Sequence, residues 1–485
     1  MKRQHRRGPA LPRALALAAL VCSACSLVTH YPEQMQGTLE DFDTGNFAAA
    51  YQRVEKEYNG ALLPFLEGGT ILQCQGSQEE SNRVFSQAAE RIQAYQEKAL
   101  LSLSQGAAQL GSLLVNEKTL PYQGEPFERV MVNTFKAMNY LFLRQVEDAR
   151  VEIRRSFAVQ EANRRIFEKE IQRLEGEADR QGLRSGDFQD QVEGYYQEGR
   201  PIASRVVNPY EDPFAYYLSA LVYELNGEYN DAFIDLQRVQ NLRPGVPCVE
   251  NDLLRMARLA GMSDTLREWR RRLNREPRLT DRTREGDLVL ILECGSAPRK
   301  KQIKIYLPIP RVGIVSLAFP RYEQAPNPVQ SAVLHDEGGT FQARSEVLTD
   351  VDAIAFRNLQ DRLPILVLKQ VLRAAAKGAM AKTATDEGGL AGALLASAYN
   401  VVTEQADLRS WLTLPQSIQV ARVVLPRGSH RLALALQDAG GQAIQEKPFS
   451  LEVSPGETYF LFARTGTRGL TSFQLYGTRA LAEGR

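Results

Sequence analysis

Tryptophan, histidine and cysteine are scarce: two, four and five among 485 residues. Beyond residue 26 only His30, His335 and His430 remain. They are far apart and lack Cys or carboxylate neighbours at ligand spacing, so a zinc site is not expected and no cofactor is implied. There is also no nucleophile elbow, phosphate loop, dinucleotide fingerprint or metalloprotease helix. The glycine pairs at 338–339, 388–389 and 440–441 lack the strand-to-helix context of phosphate binding and read as loops. Charge of one sign is lacking too. Removing residues 1–24 takes away five basic residues (Lys2, Arg3, Arg6, Arg7, Arg13) and no acidic one, leaving 54 basic against 58 acidic, or −4. That balance excludes a nucleic-acid footprint.

What is present first is a leader. The basic residues precede an apolar run from Ala14 to Val21, too short for the roughly 20 residues of a membrane span, and then small residues and a cysteine pair. Residues 1–24 read as a bacterial export signal, with Ser23, Ala24 and Cys25 as the end of a lipobox and Cys25 as the lipidated residue. Ser26 is not Asp, so the expected location is the outer membrane, periplasm-facing; ordinary cleavage before Cys25 would leave a soluble periplasmic protein. Three cysteines then remain, Cys74, Cys248 and Cys294. A Cys74–Cys248 bridge is open, and small buried thiols are the preferred reading.

Residues 25–275 carry a helical pattern with a period near 34. In residues 213–246, Tyr216, Ala220 and Tyr223 line one helix, Gly227 opens a turn, Tyr229, Ala232, Leu236 and Val239 face back from a second helix, and Pro244 ends it. This is the tetratricopeptide (TPR) arrangement. It recurs at 130–163 (Ala137, Tyr140, Ala149, Ile153), more loosely at 62–95 (Gly69, Gly76, Phe85, Ala88), and partly within 31–61 (Gly45, Phe47, Ala50, Val54); residues 96–129 are expected to hold a degenerate unit. Stacked units of this kind leave a concave face that holds a peptide or partner helix. From Glu147 to Arg184 the chain predicts a long charged helix. Its seam of Phe157, Phe167, Ile171, Leu174 and Ala178 either pairs with another chain or docks on neighbouring helices. Residues 182–212 read as an insertion.

Near residue 280, after the basic stretch WRRRLNREPRLTDRTREG, the period changes from 3.6 to 2. Residues 280–485 predict a strand-rich domain, an antiparallel sheet or sandwich, with a helical insert at 346–403. Leu288–Leu292 is a buried-strand run, and Ile303 to Ile309 and Val315 to Phe319 alternate. Val420–Leu425 leads through Pro426 and Gly428 into Leu432–Leu436, and Phe449–Val453 through Pro455 and Gly456 into Tyr459–Ala463, as paired strands with tight turns. In the insert, Gly388 and Gly392 form a small-xxx-small pair interrupted by too many charges for a span. The expected fold class is α+β. Asp407, Arg409 and Trp411 are a candidate ligand cluster or a local salt bridge with a packed anchor. Tyr122, Gly124, Glu125 and Arg129 are the candidate partner-binding rim, against a capping turn that seals the stack.

The strings YQGEPFERVMVNTFKAMNYL, with VEDARVEIRR after it, and DLRSWLTLPQSIQVARVVLPRGSH resemble the two hallmark regions of an uncharacterised family of bacterial TPR-like lipoproteins, over most of the mature chain. That resemblance implies no reaction. Its members are encoded near lipoproteins similar to the Lpo-type activators of penicillin-binding proteins, which implies envelope assembly by association. The expectation is a non-enzymatic scaffold that binds an envelope protein through its helical half and the membrane through Cys25. The competing readings are a cell-wall or polysaccharide enzyme with a site in the C-terminal half, and a structural subunit of a secretion or surface-organelle complex.

Overall fold

The computed structural model describes residues 30–104, 120–184, 186–310, 312–339, 341–403 and 405–478. The leader and Cys25 lie outside them, as do residues 105–119 of the expected degenerate unit. The helices are α1 (Tyr31–Gln34), α2 (Gln36–Asp43), α3 (Phe47–Glu55), α4 (Leu62–Gln75), α5 (Gln78–Ser104), α6 (Pro126–Phe142), α7 (Val146–Arg180), α8 (Gly186–Glu193), α9 (Arg200–Ala203), α10 (Pro213–Leu225), α11 (Tyr229–Leu242), α12 (Pro247–Leu259), α13 (Ser263–Leu273) and α14 (Val351–Thr403).

Five antiparallel pairs, α2/α3, α4/α5, α6/α7, α10/α11 and α12/α13, close through the same turn. One residue is left-handed in each: Gly45, Gly76, Arg144, Gly227 and Gly261, with φ between 64° and 93°. Its N–H reaches the carbonyl three residues back and the next N–H the carbonyl five back, as in Gly227 N to Glu224 O (3.0 Å) and Glu228 N to Tyr223 O (2.8 Å). These bonds satisfy carbonyls that a helix end leaves open. Glycine enters the left-handed region without a Cβ penalty. Arg144 enters it while its Nε donates to Gly477 O at 2.8 Å, fastening the turn to the last strand. The left-handed residues are unevenly spaced along the chain, and the 35 residues of α7 exceed one repeat helix. The helical hairpins are thus present without a regular 34-residue array. The α7 seam is covered within the chain: Phe157 stacks on Tyr216 at 4.7 Å, Phe167 meets Tyr210 at 5.8 Å, and Leu174 and Ala178 are buried.

The strands are β1 (Glu285–Cys294), β2 (Arg299–Ile309), β3 (Gly313–Glu323), β4 (Ser331–Asp336), β5 (Gln342–Arg344), β6 (Glu346–Asp350), β7 (Ser417–Pro426), β8 (Gly428–Gln437), β9 (Ala443–Val453), β10 (Thr458–Gly466) and β11 (Gly469–Gly477). They form a five-stranded sheet, β11-β10-β1-β7-β6, a four-stranded sheet, β5-β4-β8-β9, and the hairpin β2-β3. The larger sheet lies between helices and the smaller sheet. Val289, Ile291, Phe460 and Phe462 join the helical core, while Leu288, Leu290 and Leu292 meet Leu432, Leu434 and Leu436 between the sheets. Burial on both faces is why β1 reads as a continuous apolar run.

Three expectations need correction. The segments 420–425/432–436 and 449–453/459–463 are not hairpins, since β7 and β8, and β9 and β10, belong to different sheets. Arg427 N still donates to Arg284 O (2.8 Å) after Pro426, and Gly428 (φ 121°) and Gly456 (φ 73°) then turn the chain through corners between sheets. β10 instead lies between β1, parallel to it, and β11, antiparallel. The helical insert starts at Val351, because residues 346–350 are β6, paired with β7. The thiols of Cys74, Cys248 and Cys294 are free. The core runs unbroken from Met35 through α14 to Phe462, so helices and sheet share one interior. No described helix is long and apolar enough to cross a membrane; the surroundings of Gly388 and Gly392 lie outside the described residues.

Candidate functional site

Two segments singled out separately, 122–129 and 407–411, meet at the junction of helices and sheet. Pro126 opens α6 with a φ already suited to a first helical turn. Glu128, in that turn, reaches back to accept Glu125 N (2.8 Å) and Tyr122 O–H (2.5 Å) with Oε2, and its Oε1 accepts Trp411 N (2.7 Å). Glu67 on α4 accepts the next two amides, Leu412 N (2.8 Å) and Thr413 N (2.9 Å), together with Tyr31 O–H (3.0 Å). Residues 411–413 have no strand partner for these amides, so two buried carboxylates hold three successive N–H groups. The Trp411 indole donates between Thr70 and Thr413 hydroxyls, each at 3.0 Å, and sits edge-on to Phe85 (5.7 Å) and Phe135 (5.6 Å). A Cβ on Gly69 would come within 2.3 Å of Phe85, so the glycine admits the ring.

Around this anchor the charges are paired across distant elements. Glu125 accepts Lys300 Nζ (2.5 Å), Arg362 (2.5 Å) and Asn358 (3.1 Å). Burial opposes its charge, and the Lys300 and Arg362 cations outweigh burial, holding the carboxyl below its ordinary range. Burial and the neighbouring Glu125 charge push Glu128 up to about 7. Arg409 pairs with Asp407 at 2.7 Å and lies over the Tyr122 ring, 5.4 Å from its centroid. Arg129 donates to Gly124 O (3.0 Å) and Asn163 Oδ1 (2.7 Å) and is 5% exposed.

The expected rim is therefore interior. Gly124 and Arg129 are buried and Tyr122 and Glu125 half-buried; Glu125 ties the start of α6 to β2 and α14, while Arg129 ties it to Asn163 of α7. The rim's place just before the 130–163 unit predicts a loop bordering a concave face; instead Glu125 pairs with Lys300 and Arg362, Glu128 binds Trp411 N, and Arg129 binds Asn163. Two carboxyls with pKa values pushed apart resemble an acid/base pair, yet internal donors already occupy the oxygens of Glu128.

A second charged cluster carried no motif. Arg422 on β7 faces the helices, 5% exposed, and its guanidinium reaches Glu224 of α10 (2.9 Å), Asp252 of α12 (3.3 Å) and Asp287 of β1 (3.2 Å). Arg255 completes the group with Glu224 (2.5 Å) and Asp252 (3.0 Å), and Tyr217 O–H donates to Asp252 (3.2 Å). The available signal was an arginine at an inward position of a buried strand, where charges occur only when paired. Above it opens a cleft of about 560 Å³, lined by Arg275, Arg278, Arg344 and Glu346 among others. No three described side chains converge as metal ligands. No protein-family model matches the chain, and no curated protein matches it.

Proposed function

We propose that this chain is an exported lipoprotein, anchored through Cys25 in the outer membrane and facing the periplasm, that works as a protein-binding scaffold for cell-envelope machinery. The carrying observation is the set of five helical hairpins closed by one shared left-handed turn. Paired helices of this kind, stacked side by side, are how TPR-like proteins form a surface for a peptide or partner helix. The leader ending at Cys25 supports the location, and the resemblance to TPR-like lipoproteins ties the work to envelope assembly, peptidoglycan synthesis in particular. The two most elaborate polar clusters support binding over catalysis, because their carboxylates are spent on internal donors that join helices to sheet.

The test is crosslinking in cells of the tagged full chain, followed by affinity capture and mass spectrometry. A specific envelope protein, enriched over a tagged lipoprotein control, is the expected result. Purified protein that cleaves peptidoglycan or polysaccharide, with the activity lost on a single carboxylate change in residues 280–485, would overturn the reading in favour of the enzyme.

A further inference from the structure

Residues 258–284 hold nine arginines, no lysine and four acidic residues, a net +5 in a mature chain that totals −4. The stretch covers the end of α12, all of α13 and the connection to β1. Eight of the nine arginines are exposed, Arg270 being half-buried. Five have a carboxylate at ion-pair distance: Arg267 with Asp264, Arg270 with Glu276, Arg275 with Glu250 (3.4 Å), Arg278 with Glu285 (3.7 Å) and Arg284 with Asp281 (3.9 Å). Among the described residues Arg258, Arg271, Arg272 and Arg282 meet none. Arg272 lies over the buried Trp269 ring, 4.6 Å from its centroid, and the crowding of these cations carries a repulsive cost that an anionic partner would relieve.

We infer that this arginine face, with the adjoining cleft of about 560 Å³, docks an acidic, carboxylate-rich segment of a partner protein. Guanidinium forks match carboxylates bidentately, which an all-arginine, lysine-free surface favours. Arg275, Arg278 and Arg344 line the cleft beside the exposed face and present cations to a side chain entering it, while the carboxylates of its floor, Asp252 and Asp287, are engaged by Arg422.

Two observations favour protein over membrane. A helix that binds a bilayer buries a row of large apolar side chains in it; here Trp269 is buried inside the protein, and among described residues 258–284 Leu259 is the single large apolar side chain exposed. The second concerns position and rests on the anchored-scaffold reading. Arg282 packs at Gly456, beside the start of β10, whereas Asp43 packs at Gly466, its far end, next to the helices that follow His30. Eight residues of strand separate the two ends by roughly 25 Å. On that reading the described chain begins, at His30, on the side of Asp43 and Gly466, the end of β10 opposite the arginine face.

The experiment uses the mature full-length protein and three probes: a fluorescein-labelled twelve-residue oligoglutamate, an oligolysine of equal length, and phosphatidylglycerol vesicles. Wild type should bind the oligoglutamate at low salt and not the oligolysine. Arg258→Glu with Arg271→Glu and Arg282→Glu should weaken that binding by about tenfold or more, as should moderate salt, at an unchanged melting temperature. The matching glutamine triple, which removes charge without reversing it, should fall between. Equal oligoglutamate binding by wild type and the glutamate triple overturns the inference, as does no binding by wild type. Vesicle binding that needs the arginines, without oligoglutamate binding, overturns it in favour of a membrane surface. Crosslinking in cells separates this inference from the scaffold reading: a partner captured equally by wild type and the triple keeps the scaffold and removes the docking face, whereas no partner for wild type removes the scaffold.

Discussion

Arg422→Met should be among the most damaging single substitutions in the protein. The wild-type cluster holds two guanidinium groups and three carboxylates, within contact distances of 2.5–3.3 Å and with side-chain exposures of 1–6%. Methionine fills much of the volume but leaves Glu224, Asp252 and Asp287 with Arg255 alone, turning a local charge of −1 into −2 where water cannot screen it. Removing one partner of a buried ion pair costs about 3–5 kcal/mol, because the remaining charge is stranded. Arg422 also joins β7 to α10, α12 and β1, so the loss falls on the contact between helices and sheet. Urea unfolding followed by far-ultraviolet circular dichroism would give the difference in midpoint at constant slope. The loss should shrink from pH 8 to pH 5, since stranded carboxylates can take up protons, and Arg422→Lys should fall between, because an ammonium lacks the planar fork that reaches three carboxylates. A destabilisation under about 1 kcal/mol at pH 8, or equal losses at both pH values, would refute this account of the cluster.

Stability should also fall as pH rises from about 4.5 to 7.5. Burial raises Glu128 to about 7 and Asp212, Asp235 and Asp352 each to about 6. The folded state therefore binds more protons than the unfolded state in that window, and a melting temperature that is flat or rises across it would contradict the sign. Glu128→Gln should flatten part of that slope. Trp411→Ala should cost about 3–5 kcal/mol in denaturant unfolding by emptying the space between Phe85 and Phe135 and orphaning the Thr70 contact; a loss below 1 kcal/mol would mean that the junction is not an anchor. Cys25→Ser should move the protein from the membrane to the soluble fraction or block its processing, and a wild-type N-terminus without lipid by mass spectrometry would remove the anchor. The isolated fragment 31–275 should be helical yet melt without cooperativity, since it lacks β1, β10 and Trp411; a cooperative melt would show that the helical half needs no sheet.

What the sequence made legible was local. The Leu288–Leu292 run, the alternation in 303–309 and 315–319, and the helices around Gly227 are each written in neighbouring residues, and β2 pairs with β3 at Ile305↔Leu317. What it hid was pairing between distant segments. The tight stretches at Pro426–Gly428 and Pro455–Gly456 announce a turn, but the choice between hairpin and corner depends on which faces of β7 and β10 are buried. The short strands β4, β5 and β6 carry too few residues for a period to stand out, and β6 merges by sequence into the helix that follows. The candidate site shows the same limit: 122–129 and 407–411 both stood out, yet that they meet, and that Glu67 binds the backbone beside Trp411, requires the fold.

The polar groups at the boundary between helices and sheet follow one logic. Arg464 of β10, 1% exposed, pairs with Glu293 of β1 at 2.8 Å and donates to Thr413 O at 3.0 Å, with Phe42 of α2 beside it. Glu67 and Glu128 bind the backbone at 411–413 near that same end, and Arg422 binds α10 and α12 towards the other. Apolar contacts between a helix layer and a sheet tolerate sliding, since one methyl group replaces another at little cost. A buried charge tolerates none, because any shift that separates it from its partner costs several kcal/mol. Pinning both ends of β1 in this way fixes one docking of helices on sheet, and it follows that surfaces built across that boundary, the arginine face beside Gly456 included, keep a constant shape for a partner to meet.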